Sequence, residues 1–142
     1  MIDLVSMAAD IKENGYVDEF AEIPDGVYEC AIEEVTSKSK SDTGTEWVSM
    51  QMDILDGDNV GQKIFIPYFL VGKNLRDFQI KRSINDLQEL VKLYDYELPI
   101  EAFADMETLA GNIRTLVGEL ATVTKTTNKS GYANYKIEKG AF

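Results

Sequence analysis

Apolar and polar residues alternate in three separate runs over the first half of the chain. In Val27–Thr36, Tyr28, Cys30 and Ile32 share one side of an extended backbone and Glu29 and Glu33 the other. That period of two is what a half-buried strand produces. The turn Pro24-Asp25-Gly26 precedes it, and Ser37–Gly44, without a single apolar residue, is predicted to be a loop. Glu46–Leu55 alternates again: Val48, Met50, Met52 and Ile54 oppose Trp47, Ser49, Gln51 and Asp53. Asp56-Gly57-Asp58 is a hairpin turn, with a second tight position at Gly61. The third run, Gln62–Leu70, sets Ile64, Ile66 and Tyr68 against Lys63, Phe65, Pro67 and Phe69. Pro67 removes a ladder donor and so predicts a bulge or a sheet edge.

The period then changes. Ile80, Ile84, Leu87, Val91 and Tyr94 lie on one face of a helix of about four or five turns, with Asn74 as candidate cap and Pro99 closing the connection. Asp105–Val117 is a second helical stretch, with Met106, Leu109, Ile113 and Leu116 on one face. Gly118 opens a threonine-rich strand, Glu119–Thr127. The turn cluster Asn128-Lys129-Ser130-Gly131 leads to a last strand, Tyr132–Lys139. Residues 1–22 show only weak periodicity. Leu4, Met7, Ala8 and Ile11 form one short helix that Asn14-Gly15 stops, giving an arm before a domain at 23–142.

The order β-β-β-α-(α)-β-β predicts a mainly β protein. The arrangement that fits is an OB-fold-like, five-stranded Greek-key barrel with a helical connection between strands 3 and 4. An α+β sheet with helices on one face competes with it.

Composition narrows the chemistry. The chain has 142 residues, no histidine and one cysteine, Cys30. Imidazole acid–base catalysis, an intrachain disulfide and a His- or Cys-rich metal site are excluded. No Gly-rich phosphate loop and no EF-hand loop occurs, and Asp56-Gly57-Asp58 is a turn before it is a metal site. Neither a catalytic constellation nor a cofactor motif is expected. No apolar run is long enough to span a bilayer, and Met1-Ile2-Asp3-Leu4 lacks the regions of a signal peptide. A reducing cytoplasm is the expected compartment.

The net charge of −11 argues against a nucleic-acid partner until it is divided along the chain. Residues 1–35 carry ten acids against one base, and 83–120 eight against two. Residues 36–82 carry seven bases against six acids, and 121–142 four against one. The two neutral-to-basic stretches coincide with the loops that clasp ligands on an oligonucleotide-binding barrel. The first loop holds Lys38 and Lys40, with Trp47 just after it. The second holds Lys125 and Lys129, followed by Tyr132, Tyr135 and Lys136. Lysines supply point charges to phosphates and exposed rings stack on bases, the two requirements of single-strand binding. Strand parity turns Trp47 outward, as a satellite of the core or as a stacking platform; the flanking lysines and tyrosines favour stacking. Lys63 and Phe65 share its face and join the candidate set, with Phe69 as a weaker member.

Several segments also carry a resemblance. Ile23-Pro24-Asp25-Gly26-Val27-Tyr28-Glu29-Cys30, Ile54-Leu55-Asp56-Gly57, Gly61-Gln62-Lys63-Ile64-Phe65 and Gly131-Tyr132-Ala133-Asn134-Tyr135 resemble, in that order, a phage-encoded family of single-stranded DNA-binding proteins with OB-like folds. The resemblance implies sequence-nonspecific binding of single-stranded DNA in phage replication or recombination, in the cytoplasm of a bacterial host. It implies a phage recombinase or replication proteins as partners, and leaves a homodimer open. Many single-strand binders end in an acidic tail. Here Lys136, Lys139 and Gly140 precede Phe142, so only the terminal aromatic matches. The alternative reading is an acidic interaction module, a DNA mimic or inhibitor that uses its net charge to occupy a protein's nucleic-acid groove.

Overall fold

The alternating runs become antiparallel strands in the computed structural model, which describes residues 3–14 and 22–140. A short helix, α1 (Leu4–Asn14), comes first. Then follow β1 (Gly26–Lys40), β2 (Thr45–Ile54) and β3 (Lys63–Val71). Helix α2 (Asp77–Lys92), a 3-10 turn at Ile100–Ala104, and α3 (Met106–Ile113) with a 3-10 extension at Arg114–Leu116 form the connection. β4 (Leu120–Thr127) and β5 (Ala133–Lys139) complete the sheet. The strand order is β3-β2-β1-β4-β5, every pairing is antiparallel, and the sheet curls into a half-barrel. Helices α2 and α3 pack on its inner face, and the curl of the sheet is that of a barrel left open.

Parity places the core. Tyr28, Cys30 and Ile32 of β1, Val48–Ile54 at alternate positions of β2, and Ile64, Ile66 and Tyr68 of β3 are buried together. Leu87, Leu90 and Val91 of α2 and Leu109, Ala110 and Ile113 of α3 close over them. Burial, and then the field of Asp53, pushes the Cys30 thiol up to about 12. At neutral pH it is therefore an unreactive core thiol.

Several boundaries differ from the expectation. The polar run Ser37–Lys40 belongs to β1, and the hairpin turn is only Ser41–Gly44, because β2 supplies partners as far as Lys40↔Thr45. The N-terminal boundary of α2 lies at Arg76 and not at Asn74. There the Gln79 side chain accepts the Arg76 N–H at 2.9 Å, satisfying a donor that the helix cannot. The second helix ends at Ile113 and tightens into 3-10 geometry instead of continuing to Val117. Pro67 sits on an edge strand, as its missing donor requires. The β2–β3 turn uses Gly57 and Gly61, both with φ near +85° to +88°, where a side chain would be strained.

The described side chains of α1 are exposed, Leu4 by 73% and Val5 by 80%, and the described core begins after the arm, at Ile23. Gly15, Asp18, Glu19 and Phe142 lie outside the described residues. Among the described residues no helix is long and apolar enough to cross a membrane.

Candidate nucleic-acid interface

Directly paired residues of antiparallel strands project to the same face. On the outer face this builds a row across three strands: Lys38 opposite Trp47, and Trp47 opposite Phe69. The two ring centroids are 5.6 Å apart with planes tilted by 44°. Such an aromatic pair adds about 0.5–1.5 kcal/mol beyond its burial. Trp47 is partly buried by the pairing, and Phe69 remains exposed. Phe65, opposite Gln51, lies two positions further along the same face.

A β-bulge decides where the lysines go. Ile32 pairs with Met52 and Glu34 with Gln51, so Glu33 is an extra residue. One extra residue exchanges the faces of everything after it. Val35 takes the inward position, and Ser37 points to α3, where its hydroxyl donates to Glu107 at 2.9 Å. Lys38 and Lys40 are thereby carried to the side of Trp47, both exposed. Without the bulge they would share the core face with Tyr28 and Cys30.

The β4–β5 turn is organised by Asn128, whose side-chain oxygen accepts the Ser130 and Tyr132 N–H groups at 2.9 and 3.0 Å. Lys129 and Tyr132 are presented outward, Tyr132 with 71% of its surface exposed. Lys136 is also exposed and makes only a 3.6 Å surface pair with Glu138, which contributes little.

Two candidates, Lys125 and Tyr135, lie elsewhere than loop proximity implied, and a third, Lys63, is on the expected face but already paired. Lys125 is 4% exposed, on the inward face of β4 with Ala121 and Val123. Its ammonium donates to the Ile23 carbonyl, with Glu22 at 3.9 Å. It fastens the segment entering β1 and is not open to a phosphate. Lys63 is on the outer face, but its side chain is 11% exposed and bonds Glu33 at 2.8 Å and Asp53 at 3.2 Å. Burial opposes its charge, yet these two carboxylates outweigh burial and hold its pKa above the ordinary lysine value. The Lys63 hydrogen bond in turn lowers the Glu33 pKa. Lys63 thus offsets one of the two carboxylates beside the bulge and is itself fully engaged. Tyr135 is not a companion of Tyr132: it faces inward opposite Lys125 and is half-buried against the core. Burial, then the charges of Glu22 and Asp25, raises its pKa.

The two free sheet edges meet across a cleft of about 800 Å³. Pro67 and Phe69 of β3 line one wall and Tyr135 and Lys136 of β5 another. The third wall is α2, with Gln79, Arg82, Asp86 and Glu89 on one helical face. Arg82 is a cationic candidate that the sequence reading lacked. The i, i+4, i+7 spacing of Arg82, Asp86 and Glu89 marks their common face, but only the fold turns that face toward the aromatic strands. Among the described residues no cluster of metal-ligating side chains is present.

A family model described as protein of unknown function (DUF669) matches residues 9–139, nearly the whole chain. No curated protein matches it.

Proposed function

We propose that this chain, which belongs to the family of unknown function DUF669, is a non-catalytic, sequence-nonspecific single-stranded DNA-binding protein. The observation that carries the proposal is the Lys38–Trp47–Phe69 row on the outer face of β1–β2–β3. It combines a cation with a pair of partly open rings, and every base has a face on which a ring can stack. The half-barrel also supports an OB-fold reading. Three hairpin-connected strands are followed by a fourth that returns beside the first, the Greek-key order. Strands 2 and 3 are the ligand face of that fold. We place the protein in phage replication or recombination, in the host cytoplasm, with recombination or replication proteins as its partners.

Labelled oligo-dT titrated at low salt and followed by anisotropy tests this. Four exposed lysines are in play: Lys38, Lys40, Lys129 and Lys136. With three or four of them on phosphates, at about −0.7 each, the log–log salt slope is expected near −2 to −3. Duplex DNA should compete poorly, because the candidate contacts are rings and lysines on a sheet, not a helix of base-reading side chains. A protein that ignores oligo-dT at low salt, or prefers duplex, overturns the proposal. The net charge of −11 keeps one rival in view, an acidic module docking in a protein's nucleic-acid groove. That reading predicts no binding of oligo-dT.

A further inference from the structure

We infer that a bound strand does not end on the β2–β3 face but turns over the free edge of β3 into the cleft between β3, α2 and β5, where Arg82 and Lys136 take its phosphates. This rests on the single-strand reading of the outer face and adds a second segment to its path.

Three observations carry it. The first is continuity. Phe69 belongs both to the Trp47 row and to the lining of the cleft, so a strand stacked on one ring is already at the mouth of the other site. The second is charge. Arg82 lies in the cleft four residues before Asp86, yet among the described residues it enters no ion pair. A guanidinium is suited to a phosphate because its planar fork can bond two oxygens at once. Lys136 adds a second cation from the opposite wall. Asp86 and Glu89, one and two turns further along α2, set the limit: beyond Arg82 the helix repels a phosphate. The third concerns what else would fit. A free sheet edge attracts another polypeptide strand, but Pro67 interrupts the donor row in the middle of β3. The edge is therefore a poor template for pairing with a peptide or with a second copy. A nucleic-acid strand, which needs rings and cations and no backbone ladder, meets no such obstacle.

The test compares oligo-dT of about 6 nucleotides, within the roughly 4–16 of one OB-type site, and of about 20, beyond it. The proteins are the full chain and its Arg82→Gln variant. Arg82 is exposed, and matched thermal melts check that the fold is kept. The variant should bind the long oligonucleotide roughly fivefold more weakly at about 0.1 M salt, with a salt slope shallower by about 0.7, while binding the short one as before. Equal losses at both lengths would put this cation on the first segment, and no loss at either would take it off the path. Either result overturns the inference and leaves the outer-face reading standing. Failure of the unaltered protein to bind either length overturns both.

Discussion

Trp47→Ala separates a binding ring from a structural one. Its folding cost is set by what the ring touches. Trp47 is only partly buried, and its identified ring partner is Phe69 at 5.6 Å. A fully buried tryptophan truncated to alanine costs about 3–5 kcal/mol. Here the lost terms are the aromatic pair, about 0.5–1.5 kcal/mol, and a fraction of the ring's burial. We expect about 1–2 kcal/mol in all. For a chain of this length that lowers the melting temperature by about 3–10 °C. Losing a stacked base costs roughly 1–3 kcal/mol of affinity, or about tenfold to hundredfold. The assay is direct, because Trp47 is the only tryptophan. Its emission should lie between the buried and fully exposed limits and be quenched by oligo-dT. Phe69→Ala should red-shift it by opening the far side of the ring. If Trp47→Ala instead costs about 3–5 kcal/mol of stability, and the folded variant binds oligo-dT as well as before, the ring belongs to the core. The platform assignment would then be refuted.

Two further outcomes follow from the same geometry. Lys125→Met keeps the stem but strips the Ile23 carbonyl of its donor, and should destabilise by about 1–3 kcal/mol in a denaturant melt. Affinity for oligo-dT and its salt slope should not change; a shallower slope would return Lys125 to the phosphates. Deleting residues 1–20 should preserve the cooperative melt, since the described α1 side chains are exposed. It should leave oligo-dT affinity equal or higher, because the segment removes five acids against Lys12 alone; loss of the cooperative transition would make Leu4, Met7 and Ile11 part of the core.

Period-two patterning made the sheet legible. It identified the inward residues of β2 and β3 and turned Trp47 outward, because exposing four apolar side chains instead would cost too much. Other features depended on pairing. The bulge is faintly written, in that Ile32 and Val35 are three apart where strict alternation wants an even spacing. Its consequence, the move of Lys38 and Lys40 to the tryptophan face, needs the register with Met52 and Gln51. Lys125 is the opposite case. Ala121 and Val123 set the parity that buries it, although it stands only three residues before the turn at Asn128. A lysine stem packs well on an apolar face if its ammonium finds an acceptor, and the Ile23 carbonyl is about a hundred positions away in sequence, beyond any local pattern. Arg82 was out of reach for the same reason. Its helix was predictable, and Pro67 allowed an edge at β3, but that the two face each other was not.

The distribution of acid gives the overall charge a role on the binding reading. Along the outer face, Lys38 and Trp47 stand at the β1–β2 hairpin end, while Glu33, Asp53 and Lys63 stand toward the β2–β3 turn. There Lys63 is already neutralised twice, and Glu34 lies opposite Gln51 beside Phe65. A polyanion is therefore disfavoured at that end, and Phe65 contributes less than Trp47 despite sharing its face. The cleft is bounded in the same way by Asp86 and Glu89. Like charges repel a phosphate about as effectively as lysines attract one at these separations. The favourable route between the two acidic limits runs from Lys40 across Trp47 and Phe69 to Arg82. A net charge of −11 is compatible with DNA binding when its acids lie beside the route and not on it. Long-range steering is then weak or adverse, so the affinity must come from contacts made after encounter.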